Sequence, residues 1–188
     1  MCYYITATLP KDTNLDSLKP SLKKFDMDFS LLKNTNISSQ LRPDEIYLRA
    51  TKSYCDCNTS LGSRSITPEY NKMLKSQKVR ELRKKRWTDE QIHLWILEKI
   101  GNKKPKGHDN LTPVEKDIEI NNWINFVTNL LSRNKLTRVG LLKHWYSKGL
   151  SNEDFLIKNT ERISVKELNS SILLNLEDDV LYEFHPFS

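Results

Sequence analysis

The stretch Cys2-Tyr3-Tyr4-Ile5-Thr6-Ala7-Thr8-Leu9, closed by Pro10, decides the class of fold. Side chains alternate across an extended chain, so Tyr3, Ile5, Ala7 and Leu9 share one side and Cys2, Tyr4, Thr6 and Thr8 the other. β-Branched and aromatic residues favour this strand, and proline, which cannot donate to a ladder, ends it. Leu15, Leu18, Leu22 and Phe25 then recur at three- and four-residue spacing, the stripe of an amphipathic helix that Pro20 should kink or shorten.

Residues Phe29 to Leu32 can form a short strand. Glu45 to Tyr54 reads as a longer one, with Ile46, Leu48 and Ala50 on one side and Tyr47, Arg49, Thr51 and Ser53 on the other. Thr67-Pro68 places an N-cap before a proline and predicts a helix to about Arg86. Thr88–Gln91 and Thr112–Glu115 are capping boxes. They open helices carrying Ile92, Trp95, Ile96 and Ile100, and Ile120, Ile124, Val127 and Leu131. Thr137 to Tyr146 and Val180 to Phe184 read as strands, and Arg162 to Leu168 as strand or helix.

Strand, helix, two strands, helices, strand is the order of a split βαβ and resembles the ferredoxin-like plan. The expectation is one α+β domain over residues 1–188, with a helical insertion, residues 66–133, between the third and fourth strands. In that plan the first strand lies between the third and fourth, antiparallel to both. Its start then meets their ends, which gathers Cys2, Cys55, Cys57 and His144. Helices should cover the apolar side of the sheet and leave the other side open. That open side carries Cys2, Tyr4, Thr6, Tyr47, Arg49, Thr51, Ser53 and His144.

The net charge of +6 is unevenly spread. Lys72, Lys75, Lys78, Arg80, Arg83, Lys84, Lys85 and Arg86 stand against the single acid Glu81, whereas the segment from Ser151 is acidic. Such asymmetry suits an anionic partner, an acidic protein surface or a nucleic acid, or an internal pairing of the two segments. Three cysteines are too few and too odd in number for a disulfide framework, and free thiols suit a reducing compartment. No stretch approaches the ~20 apolar residues that span a bilayer. The opening residues lack the charged and apolar regions of a signal peptide. A cytoplasmic protein with no membrane association is expected.

No motif names a reaction, so the expected function is binding or regulation, through the cations Lys78, Arg80, Arg83, Lys84, Lys85 and Arg86 and the open sheet face. Three other chemistries stand beside it. Tyr4 and Tyr47 on adjacent strands, with Arg49 and Ser53, resemble the base-stacking surface of RNA-recognition sheets, which implies RNA, single-stranded DNA or a nucleotide as ligand. The glycine-and-aromatic octapeptide of that family is missing from the Ile46 to Ser53 strand. Cys2, Cys55, Cys57 and His144 make a donor set for zinc, although Cys55 and Cys57 are separated by one residue where zinc knuckles have two. Cys2 or Cys55 with His144 as base and Asp56 as its orienter would make a cysteine-dependent hydrolase. The opening Met1-Cys2-Tyr3-Tyr4-Ile5-Thr6 resembles N-terminal-nucleophile amidohydrolases and glutamine amidotransferases, but those enzymes stack two sheets and this chain has too few strands. Trp87, Trp95, Trp123 and Trp145 are too dispersed for a cofactor box and read as packing anchors. His93 reads as a packed residue, and His108 and His185 as solvent-facing.

Overall fold

The alternation of the first strand is the axis of the structure. The computed structural model describes residues 2–50, 55–57, 59–62, 72–85, 87–88, 91–92, 95–96, 98–99 and 111–186. They fall into two compact units, residues 1–63 with 110–188, and residues 64–109.

In the first unit β1 (Cys2–Pro10), β2 (Ser30–Leu31), β3 (Glu45–Arg49), β4 (Val139–Tyr146), β5 (Asn159–Ser164) and β6 (Val180–His185) form one sheet in the order β2-β3-β1-β4-β6-β5. The protein is therefore α+β, but the sheet has two strands, β5 and β6, beyond the four of the ferredoxin-like plan. β6 joins β4 antiparallel, and β5, which overlaps only the start of the Arg162 to Leu168 segment read as strand or helix, pairs with β6 in parallel. β1 lies between β3 and β4, antiparallel to both, with Thr8 opposite Tyr47 and Gly140, and Tyr4 opposite His144.

One face of this sheet carries the main core. Ile5, Ala7, Leu9, Leu48, Val139, Leu141 and Phe184 pack against α1 (Leu15–Lys24), α4 (Pro113–Ser132) and α5 (Ser170–Leu174). α1 runs through Pro20 without ending. α4 begins at the expected Thr112–Glu115 capping box and buries Ile120, Trp123, Phe126, Val127, Leu130 and Leu131. Its stripe is thus wider than the four aliphatic positions read from sequence, and α4 belongs to the unit that holds the sheet. Burying each of these large side chains contributes about 1.5–3 kcal/mol, which outweighs the proline in α1 and the glycine in β4.

The other face is not open, which corrects the expectation of an exposed platform. Ile37 and Leu41, with Leu32, Phe155 and Ile157, cover Tyr47, Leu142 and Leu181. Ile37 lies in α2 (Thr35–Ser38). The roof is tied down by polar bonds: Asn34 Nδ2 donates to the carbonyls of Leu150 and Glu153, and Gln40 Nε2 to that of Phe155. The alternation of β1 was right, but Thr6 and Thr8 are as buried as Ile5 because a second, smaller core lies over them.

The second unit contains α3 (Gln77–Lys84), capped by Ser76, whose Oγ accepts from the Val79 amide. Val79 and Leu82 pack with Ile92 and Ile96. The Thr88–Gln91 capping box is formed in both directions. Thr67-Pro68, His93, Ile100 and His108 lie outside the described residues.

Candidate functional site

Three cysteines meet at one end of the sheet. The sulfurs of Cys2, Cys55 and Cys57 all lie within 4.8 Å of one another, and the thiols are free. Cys2 opens β1, whereas Cys55 and Cys57 lie on a turn that follows β3. This turn completes the edge of β1 where the β3 ladder stops. The Asp56 amide donates to the Tyr3 carbonyl at 2.9 Å, and the Tyr3 amide donates to Cys57 Sγ at 3.2 Å. Alternation then sends Cys55 and Cys57 to one side and Asp56 to the other. Asp56 is 5% exposed, and its Oδ2 accepts the Ile5 amide at 2.7 Å, standing in for a strand carbonyl.

The thiol turn is fixed from behind. Leu61 is part of the main core, and the Ser60 amide and hydroxyl both donate to Glu119 Oε2 on α4, at 2.8 and 2.7 Å. The turn closes tightly: Thr59 N–H donates to the Asp56 carbonyl, and a Cβ on Gly62 would lie 2.1 Å from that same oxygen. Glycine is required at position 62 by this approach of backbone to backbone.

Crowding sets the chemistry of these groups. Burial pushes the Cys57 thiol up to about 11; the Tyr3 amide opposes this, and the neighbouring Cys55 and Cys2 sulfurs add to it. Burial likewise raises Asp56 to about 7, against the Ile5 amide and the positive field of Arg49, with Glu119 adding to the rise. Cys57 is therefore a protonated thiol at neutral pH, which suits a ligand that a metal deprotonates better than a free nucleophile.

His144 does not join the thiols. Cys2 stands opposite Tyr146 and Tyr4 opposite His144, so the expected Cys2–His144 dyad is not formed, and the metal group ends at three cysteines among the described residues. Instead the imidazole holds the roof. Its Nδ1 lies 2.5 Å from Asp179 Oδ1, its Nε2 3.9 Å from Glu153 Oε1, and its ring stacks on Phe155 at 3.6 Å between centroids. Asp179 also pairs with Lys158. Burial raises the Asp179 carboxyl, but the His144 and Lys158 contacts prevail and hold it below the usual carboxylate range.

The remaining site residues separate. Tyr47, expected on an accessible face, is 3% exposed, and its hydroxyl donates to Thr6 Oγ1 and meets the Tyr146 hydroxyl at 2.5 Å. Tyr4 is half-buried, edge-on to Tyr146, with the Arg49 guanidinium 5.8 Å from its ring. Lys78, Arg80, Arg83, Lys84 and Lys85 are all exposed, Lys78 in contact with Glu81. Ser53 and Arg86 lie outside the described residues.

Sequence reasoning missed four polar groups that build the fold around the site. Glu153 caps the amides of Ser147 and Lys148. Glu183 is buried and takes Arg42 at 2.6 Å. Lys143 is 1% exposed on the core side of β4, its ammonium 5.3 Å from the Tyr3 ring, and burial lowers its pKa against the field of Asp178. Glu119 braces the thiol turn. Only Lys143 carried a signal, since alternation from Leu141 places it on the apolar side. The chain matches no protein-family model, no curated protein and no solved structure. No helix among the described residues is long and apolar enough to cross a membrane.

Proposed function

We propose that this chain is a metal-binding protein whose sheet unit holds zinc on Cys2, Cys55 and Cys57. The observation that carries this reading is the meeting of three free sulfurs within 4.8 Å across a strand and a turn remote in sequence. Zn–S bonds of about 2.3 Å in a tetrahedron set sulfur–sulfur distances of about 3.8 Å. Closing the group from 4.8 Å to that spacing needs side-chain rotation alone, because Leu61, Glu119 and Asp56 already fix the turn. The amide of Tyr3 directed at Cys57 Sγ stabilises a thiolate there. The engagement of His144 with Asp179, two register pairs away from Cys2, speaks against cysteine hydrolysis by a Cys2–His144 dyad. The strands β2-β3-β1-β4, antiparallel throughout, support reading the sheet as a ferredoxin-like core extended by β6 and β5.

Metal analysis of the purified full chain tests the reading. One zinc per chain is expected, lost in Cys57→Ser; less than about a tenth of an equivalent after incubation with zinc refutes it.

A second function rests on the other unit. α3 buries Val79 and Leu82 and turns Lys78, Arg80, Arg83 and Lys84 outward, with Lys85 following. This is the footprint of a phosphate-backbone contact, and nucleic acid is the anionic partner it favours. Binding to single-stranded RNA and DNA at two salt concentrations tests it. Absence of binding at low salt refutes it, and binding to an acidic protein alone transfers the role to protein recognition.

A further inference from the structure

We infer that the three-thiolate group leaves the fourth coordination position of its ion to a neutral donor from outside the group, so that the site exchanges ligands and is not sealed. This rests on the zinc reading above. Structural zinc sites close with four protein ligands, whereas sites with three keep a position for water or an incoming group. Among the described residues the donor group stops at Cys2, Cys55 and Cys57. The two donors that sequence and register bring nearest are committed elsewhere. Asp56, between the two turn cysteines, points inward and spends Oδ2 on the Ile5 amide at 2.7 Å. His144, two register pairs further along β1 and β4, has Nδ1 on Asp179 and its ring face against Phe155. All three cysteines are half-buried, so none is closed beneath the surface.

Charge selects the class of the incoming ligand. Three thiolates against a divalent ion leave a net charge of minus one, and a fourth thiolate would make it minus two. The three thiols are half-buried, so a second excess negative charge would be screened less there than in open water. A neutral nitrogen or oxygen donor adds no charge, and imidazole is the strongest such ligand that proteins supply. The same thiolates donate charge to the ion and acidify a bound water less than three neutral imidazoles would. Ligand exchange, not hydrolysis, is the chemistry this donor set favours.

Cobalt(II) substituted for zinc in the full chain provides the test, with a phosphine as the only reductant. One cobalt per chain should bind with sulfur-to-cobalt charge-transfer bands. Its visible bands should then shift saturably as imidazole is added. X-ray absorption on the zinc-loaded chain should give three sulfurs and one light atom. Because the chain has three cysteines, a fourth sulfur would have to come from a second molecule. Cobalt that binds but ignores imidazole, or a four-sulfur shell, overturns the open position while leaving the zinc reading intact. Failure to take up either metal overturns the zinc reading itself. Cys57→Ser, which removes one of the three sulfurs, should lose uptake altogether.

Discussion

Replacing Glu153 with alanine should release the roof over the second sheet face. Glu153 is 5% exposed, and its carboxylate accepts the Ser147 amide at 2.6 Å, the Lys148 amide at 2.5 Å and the Ser147 hydroxyl at 3.0 Å. A hydrogen bond to a charged acceptor contributes about 1.5–3 kcal/mol, and an amide left unpaired in the interior costs a further 1–3 kcal/mol. Ser147 and Lys148 are exposed, so water can recover their amides once the carboxylate is gone. The net loss should therefore fall well below the sum of these contributions, at about 2–3 kcal/mol, a fall in Tm of roughly 4–12 °C for a chain of this size. Urea unfolding followed by near-ultraviolet circular dichroism, which reports Tyr47 and Tyr146, measures it. Glu153→Gln, which keeps one acceptor and removes the charge, should fall between. The pH dependence has a definite sign. Burial raises the Glu153 carboxyl, but the amides of Lys148 and Ser147, the Ser147 hydroxyl and the field of His144 prevail and hold it below its ordinary 4.5. A depressed folded-state value means the contribution is present above the unfolded value of 4.5 and is lost as pH falls through the folded one. The gap between the parent protein and the Gln variant should shrink in acid. An alanine variant within about 0.5 kcal/mol of the parent, or a Gln gap indifferent to acid, would refute the idea that this carboxylate holds the roof.

Three further outcomes follow from the geometry. Gly62→Ala should destabilise the sheet unit by about 1–3 kcal/mol and abolish stoichiometric zinc uptake with all three cysteines present, because its Cβ would lie 2.1 Å from the Asp56 carbonyl; equilibrium dialysis reads the uptake. Gly140→Ala should cost about 1–3 kcal/mol because the new Cβ would fall 2.2 Å from Thr8 Oγ1, and Thr8→Ala should recover part of that loss in a double-mutant cycle. Removing Arg80, Lys84 and Lys85 together should weaken binding to single-stranded nucleic acid and flatten its logarithmic salt dependence by about 2, at about 0.7 per lost phosphate contact; an unchanged slope refutes the α3 footprint.

The legible part of the fold was whatever depends on local period. The alternation of residues 2–9 placed β1 and its apolar side, the two capping boxes placed helix starts, and the spacing of Ile120 to Leu131 placed α4. The adjacency of β1 with β3 and β4 was legible as well, and with it the meeting of Cys2 with Cys55 and Cys57. β5 was not, because Asn159–Ser164 is a mostly exposed edge strand with no apolar alternation. Its pairing is decided by the free edge of β6.

What only the tertiary structure decided is the fate of the polar face. Period-two alternation assigns side chains to opposite faces of a sheet but does not say what lies over either one. Tyr4, Tyr47 and His144 read as an accessible surface because their types are compatible with water. Tyr47 and His144 are covered because Ile37, Leu41 and Phe155, from segments with weak periodicity of their own, bring enough apolar area to close that part of the face, while Tyr4 stays half-buried. Asp179 then claims the Nδ1 of His144, since an imidazole under a roof needs a partner, and Glu153 stands 3.9 Å from its Nε2. The sequence by itself determined that three thiols would be available at one end of β1. That His144 does not join them was settled by long-range packing, where a difference of two residues in register separates a ligand from a structural histidine.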